Sequence, residues 1–223
     1  MNKKLFSKYQ EIVPNLFNGK HEDAKRIFIT FKRLLGLLKL NHMNTSSTLL
    51  DLGSGDGSLV RVCKENGFKA FGLDGSKDGI NFENDKLEFD NETFDIITLV
   101  SVIEHINNPS NILREIHRVL KKRGILIVAT PNFKYAFRNF YDDPTHVRPY
   151  TDKSIGSLMK LYEFKTIKVV PLLVNKSLLF WKIPFSFYIS SILPFTNHQF
   201  VNFSFMNFLK GKSTAMISIA EKN

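Results

Sequence analysis

Apolar and polar positions alternate along this chain in a way that marks out its elements before any motif is considered. Between residues 23 and 39, Ala24, Ile27, Phe28, Phe31, Leu34, Leu35 and Leu38 recur at helical spacing, with Lys25, Arg26, Lys32, Arg33 and Lys39 between them. This is the pattern of an amphipathic helix packed on a core. The run TLLDL, residues 48–52, predicts a buried strand, and residues 58–66 predict a helix that Gly67 closes. KAFGLD reads as a second strand ending at Asp74, and FDIITLV, residues 94–100, as the short apolar strand of a parallel sheet covered on both faces. The next predicted helix takes Asn108 as its N-cap and Pro109 as its first residue, with Ile112, Leu113, Ile116, Val119 and Leu120 as the inner stripe. Lys121, Lys122 and Arg123 are placed at its negative dipole end, before Gly124 releases the chain into ILIVAT. STAMISIAEK, residues 213–222, is read as the last strand. Strands alternating with helices imply right-handed crossovers and a doubly wound α/β sheet, whose ligands bind beyond the strands' C-terminal ends.

A chain of 223 residues with 43% hydrophobic content can bury one sizeable core, which predicts one domain. Within it we expect an N-terminal helical flank at 1–45, a ligand-binding core at 46–174, an insertion at 175–210 and the last strand at 211–223. The lone Cys63 has no partner for an internal disulfide, and no charged start runs into an apolar core as in a signal peptide, so a reducing, cytoplasmic setting is expected. Net charge is +10, but it is unevenly spread: residues 1–45 carry +6, residues 46–112 carry −7 and residues 113–223 carry +11. An acidic ligand-binding segment is at odds with a polyphosphate and suits a cationic cofactor. A genome rich in Lys and Asn codons accounts for the basic excess equally well and for the acidic segment less well.

The acidic segment holds LLDLGSGDGS, residues 49–58, where Asp51-x-Gly53-x-Gly55-x-Gly57 follows a strand and opens a helix. A dinucleotide site would carry its third glycine where this chain has Ser58. Bare backbone there lets a ligand approach closely, and Asp74, 21 residues past Gly53 at the end of the second strand, stands where such folds bind ribose hydroxyls. These residues, with GLDGS, FDIITLVSVIEHINNP and LKKRGILIVATPN in order, resemble the class I S-adenosylmethionine-dependent methyltransferases, in particular the small-molecule branch akin to the ubiquinone-biosynthesis enzymes. The resemblance covers roughly residues 45–175. It implies a mostly parallel, seven-stranded-type sheet whose last strand is antiparallel, and S-adenosyl-L-methionine as cofactor. It also implies that Asp51, Gly53, Ser54 and Gly55 surround the methionine moiety, that Asp74 with Gly75 holds the ribose, and that backbone near Ser101 approaches the sulfonium. Only 19 residues, 75–93, separate Asp74 from Phe94, where the family fits a helix, a third strand and another short helix; the region after the second strand is therefore shortened. ENDKLEFDNETFD resembles the family's acidic turn and places Asp85 at the adenine amino group, although a solvated loop charge is the competing reading.

Methyl transfer needs a nucleophile aligned with the methyl group and, for a hydroxyl, a destination for its proton. Glu104 and His105 follow the predicted fourth strand and face the expected crevice, Glu104 toward substrate and His105 more as a pocket-shaping residue than as the base. FYDDPTHVRPYT, residues 140–151, packs Tyr141, Asp142, Asp143, His146, Arg148 and Tyr150 into twelve residues with two prolines, and here His146 is the expected base, Arg148 an anion contact, and Tyr141 and Tyr150 further substrate contacts. The competing reading is a rigid loop whose polar groups satisfy one another. With one cysteine and scattered histidines, no Cys/His cluster has metal-ligand spacing, which leaves Glu104, His105 and Asp residues as the sole route to a metal site; none is expected. Residues 183–209 lack Asp, Glu, Lys and Arg and are rich in Phe; their longest apolar piece, 183–195, is shorter than the ~20 residues of a membrane-spanning helix. A lid over the substrate is expected there, with contact at a membrane surface as the alternative. The expected activity is methylation of a small-molecule acceptor, on oxygen, with an anionic, glycan- or lipid-linked substrate as a refinement. RNA methylation, and a cofactor-binding regulator without catalysis, are the alternatives; no DNA partner is expected.

Overall fold

Four parallel strands carry the fold, and their shared direction decides where a ligand can sit. The computed structural model describes residues 21–40, 42, 44–172, 195–196, 210–212 and 214–223. The elements run α1 (His21–Leu37), β1 (Thr48–Leu52), α2 (Ser58–Glu65), β2 (Lys69–Leu73), β3 (Phe94–Val100), a 3-10 turn (Ile103–His105), α3 (Ser110–Val119) and β4 (Leu120–Pro131). There follow the one-turn α4 (Phe133–Ala136), a 3-10 turn (Phe140–Asp142), α5 (Asp152–Leu161), β5 (Phe164–Pro171), β6 (Phe195–Thr196), β7 (Lys210–Lys212) and β8 (Ala215–Lys222). The main sheet has the order β2-β1-β3-β4-β8-β5, and β6 and β7 form a separate two-stranded ribbon. β2, β1, β3 and β4 are mutually parallel, and β8 inserts antiparallel between β4 and β5. The doubly wound, mostly parallel sheet with an antiparallel last strand is thus present. Its strand order reverses between β1 and β3, the switch point at which such sheets open a crevice.

Alternation along the strands sorts the core into two layers. Leu50, Leu52, Ile97, Leu99, Leu126 and Val128 face α3 and α5, meeting Ile112, Ile116, Ile155 and Met159. Leu49, Ile96, Ile125 and Ile127 face α1 and α2, meeting Phe28, Phe31, Leu35 and Val62. The amphipathic stripe of the N-terminal helix buries as its spacing predicts: Ala24, Phe28, Phe31, Leu34 and Leu35 are buried, while Ile27 and Leu38 pack at the rim. α2 ends where Gly67, at φ +84°, lets the Gly67 and Phe68 N–H groups bond back to Lys64 and Cys63.

Two expectations shift. α3 ends at Val119 rather than running into the basic triplet, because Leu120 is already extended and pairs with Phe94. Lys121 therefore belongs to β4, and its ammonium lies 2.9 and 3.0 Å from the two oxygens of Asp95 instead of capping a helix dipole. At the other end of α3, Asn108 accepts the Ser110 N–H at 3.1 Å, but Pro109 is the cap residue, one position later than expected. The shortening after β2 falls where the sequence places it. Residues 75–93 form turns without helix or strand, so among the described residues the main sheet has six strands and none of them comes from this segment.

Candidate functional site

The C-terminal ends of β1, β2 and β3 bring the glycine loop, Asp74 and Ser101 to one edge of the sheet. Gly53 and Ser54 donate their N–H groups to the Leu73 carbonyl at 2.7 and 3.1 Å, folding the loop back over β2. Gly53 has φ +76°, and a Cβ there would lie 2.3 Å from Val102 Cγ2; only glycine fits. The Asp74 carboxylate accepts the Gly55 N–H at 2.9 Å and the Ser76 N–H at 3.0 Å, so it braces the loop from the neighbouring strand. Gly75 follows directly in the same turn, its α-carbon facing the Ile80 carbonyl. Ser101, at φ +54°, sits in the left-handed region with its N–H bonded to the Ala129 carbonyl at 2.9 Å. Strain of this kind in a non-glycine residue persists where the surroundings impose it and clusters at functional sites.

Asp51 is the buried acid of this half. The β1–β3 register sets it opposite Thr98, whose hydroxyl donates to Asp51 Oδ1 at 2.7 Å. Burial, with the nearby charge of Asp74 as a smaller cause, pushes its carboxyl up to about 7. Among the described residues neither Asp51 nor Asp74 has a salt-bridge partner. Two carboxylates without a cation, beside a loop of exposed backbone, fit a ligand that brings positive charge and sugar hydroxyls. Asp85 lies in the strandless segment, where its carboxylate accepts the Asn81 N–H at 2.6 Å and its carbonyl accepts from Asn111 at 2.8 Å.

Past the end of β3, the 3-10 turn buries Glu104 and His105 completely or nearly so. The loop 140–151 folds onto them because the Val147 and Arg148 N–H groups donate to the Glu104 carbonyl at 2.9 and 3.0 Å, and Phe133 N–H donates to the Tyr150 carbonyl at 2.7 Å. The loop's descent sets the His146 ring 4.7 Å from that of His105 and 4.5 Å from that of Phe140. His146 Nδ1 faces the Phe140 carbonyl at 2.6 Å; a carbonyl only accepts, so Nδ1 carries a proton, which leaves Nε2 as the one ring nitrogen that can offer a lone pair. His105 Nδ1 likewise donates toward Thr145, whose carbonyl lies at 3.1 Å and hydroxyl at 2.9 Å. The Thr145 hydroxyl in turn donates a hydrogen bond to Asp143 Oδ1. Burial, aided by His146, pushes the His105 imidazole down to about 4, keeping it neutral near pH 7. Glu104 accepts from the Thr130 hydroxyl at 2.9 Å through Oε2, while buried Oε1 has no hydrogen-bond partner among the described residues. Burial pushes its carboxyl up to about 7.

Glu104, His105 and His146 each contribute one potential ligand atom to a common space, all within 4.8 Å of one another. Sequence spacing joins Glu104 to His105 but not to His146, which reaches the group only through the course of its loop. Of the other expected acceptor-side residues, Tyr150 is buried in the core, Tyr141 stands 59% exposed against Phe133 and Phe140, and Arg148 donates to the Asn107 carbonyl at 2.6 Å. Sequence reasoning does not single out Thr98, Thr130 or Thr145, and it gives Asp143 no role beyond membership of the ionisable loop cluster. Thr98 and Thr130 are polar residues inside otherwise apolar strands, which is a readable signal; Thr145 carries none. Most of residues 183–209 lie outside the described residues, and the lid expected there with them.

Comparison with known proteins adds three findings. Residues 1–169 match the family described as "Methyltransferase domain". The chain is 31% identical over 100 residues to a ubiquinone biosynthesis O-methyltransferase of Pelagibacter ubique, covering 38% of this chain and 42% of that one. It is 26% identical over 158 residues to one of the same name from Rickettsia typhi, covering 59% and 62%. The match therefore spans less than two thirds of either relative. Among solved structures, an S-adenosylmethionine-dependent methyltransferase from Archaeoglobus fulgidus shares the fold with a TM-score of 0.59 at 17% identity, over 96% of this chain and 100% of that one. A methyltransferase in complex with the Trm112 activator of Haloferax volcanii shares it with a TM-score of 0.61 at 15% identity, over 90% and 95%.

Proposed function

Because this chain belongs to the methyltransferase-domain family, we propose that it transfers a methyl group from S-adenosylmethionine to a small-molecule acceptor. The observation that carries this reading is the pair of carboxylates, Asp51 and Asp74, without a salt-bridge partner among the described residues, at the heads of adjacent parallel strands beside the glycine loop. S-adenosylmethionine, when bound, supplies an activated methyl group on a positively charged sulfur. Asp51, Gly53, Ser54 and Gly55 hold its methionine end, Asp74 and Gly75 its ribose, and Asp85 its adenine; the backbone at Ser101 lines the approach to the sulfur. On the acceptor side, Glu104, Tyr150 and Arg148 orient the substrate, Tyr141 borders its entrance, and His146 promotes loss of the acceptor's proton, its Nε2 being the lone pair that the Phe140 carbonyl leaves exposed. His105 shapes the pocket. Likeness to proteins named O-methyltransferases supports oxygen as the atom methylated.

Calorimetry tests the cofactor assignment. The protein is expected to bind S-adenosylmethionine and S-adenosylhomocysteine but not NAD. Asp74→Ala removes charge-assisted bonds worth about 1.5–3 kcal/mol each and should weaken binding by about tenfold or more. With label in the methyl group, the label should pass into low-molecular-weight material of a cell extract. Absence of binding, or label entering RNA instead, overturns the reading.

A further inference from the structure

We propose that Glu104, His105 and His146 form a binding site for a divalent transition-metal ion of the zinc class, placed to receive an oxygen of the methyl acceptor. The inference rests on the assignment of this cluster to the acceptor side. Three observations support it. The three side chains bring their ligand atoms within 4.8 Å of one another, a spread that a small inward movement of side chains would close around an ion. Glu104 Oε1 is fully buried and lacks a hydrogen-bond partner among the described residues, a costly arrangement for a carboxylate unless something binds it. Each histidine directs Nδ1–H at a backbone carbonyl, Thr145 for His105 and Phe140 for His146, the hydrogen bond that fixes the tautomer of a metal-bound imidazole and leaves Nε2 for the ion.

The donor set selects the ion. Two imidazoles and one carboxylate suit zinc, cobalt or nickel, whereas magnesium prefers an all-oxygen shell. Three protein ligands leave a coordination position open, as catalytic rather than structural sites do. An acceptor hydroxyl there becomes more acidic, so its proton can leave to solvent before the oxygen takes the methyl group and the carbon–sulfur bond breaks, leaving neutral S-adenosylhomocysteine. His146 then promotes deprotonation as a ligand of the ion instead of taking the proton itself. Asp143, which accepts from the Thr145 hydroxyl that His105 Nδ1 meets at 2.9 Å, becomes a positioning residue for the His105 ring.

Titration of chelator-stripped protein with cobalt chloride tests the site without reference to turnover. The wild type should bind one Co²⁺ per chain with the visible absorption of a four- or five-coordinate ion, and Zn²⁺ should displace it while millimolar Mg²⁺ does not. Glu104→Gln, which preserves shape, and His146→Ala should each weaken Co²⁺ binding about 10–100-fold. S-adenosylhomocysteine binding to the same variants reports that they are folded. Failure to bind Co²⁺ or Zn²⁺, or affinity unchanged in both variants, overturns the ion site. If S-adenosylmethionine still binds in that case, the methyltransferase reading stands; loss of cofactor binding with the ion retained would instead overturn that reading alone.

Discussion

Asp51 shows how much one residue can hold. Its carboxyl is drawn out of water into the layer between β1, β3 and α2, and burial raises it from 3.8 to about 7. The folded state therefore holds this proton more tightly than the unfolded chain. Its contribution to stability is full below about pH 4, declines as pH rises toward 7 and is lost above that. Asp51→Asn removes the penalty, so the variant should melt higher than wild type at pH 8, by up to about 4 kcal/mol of stability, and show little gain at pH 4. Melting curves at the two pH values check this, and equal shifts would count against it. A cationic cofactor favours the charged carboxylate, so the same substitution should weaken S-adenosylmethionine binding even as it stabilises the empty protein.

At the scale of elements, the strandless segment 75–93 is held by α3 rather than by a sheet. Arg118 donates to the carbonyls of Leu87 and Phe89 at 2.9 and 2.8 Å and to Asn91 Oδ1 at 2.9 Å, while Glu115, paired with it at 2.7 Å, accepts the Leu87 N–H at 2.8 Å. The Arg118 guanidinium holds the Glu115 carboxyl below the usual range. Side chains from one helix turn thus satisfy backbone groups that a third strand would otherwise pair. Arg118→Met keeps the aliphatic stem and removes these bonds. It should cost about 2–4 kcal/mol of stability and raise amide exchange in residues 81–93 while leaving β4 and β8 protected. Uniform exchange across the sheet would mean that the segment is not held locally.

Across the whole molecule, charge is sorted along the chain: the cofactor segment is acidic and both flanks are basic. No helix among the described residues is long and apolar enough to cross a membrane. Basic flanks, with the uncharged Phe-rich stretch 183–209, suit docking at an anionic surface that carries a lipid-linked acceptor, where basic groups meet head groups and aromatic rings reach the acyl boundary. On that proposal the protein co-sediments with anionic liposomes at low salt, is released by salt and ignores neutral liposomes. Replacing Phe185, Phe187 and Tyr188 with Ser should weaken the association without changing cofactor affinity. Wild type left in the supernatant under low salt would make the stretch a lid over a soluble substrate.

The chain's own pattern was sufficient for the parallel strands, the amphipathic flank, the glycine loop and the shortening after β2. Each is a local matter: apolar period, turn chemistry and the number of residues available act over a few neighbours. Even there, the end of α3 was misread, because the basic triplet looks like a helix terminus until Leu120 is seen paired with Phe94 across the sheet. What tertiary structure alone decided are the meetings of distant residues. Thr98 finds Asp51 across 47 positions through strand register, and Thr130 finds Glu104 across 26. His146 reaches His105 because two N–H groups of its loop bond to the Glu104 carbonyl. No periodicity encodes such contacts; they exist only once the sheet has set its register and the loop has found backbone groups left unpaired at the strand ends.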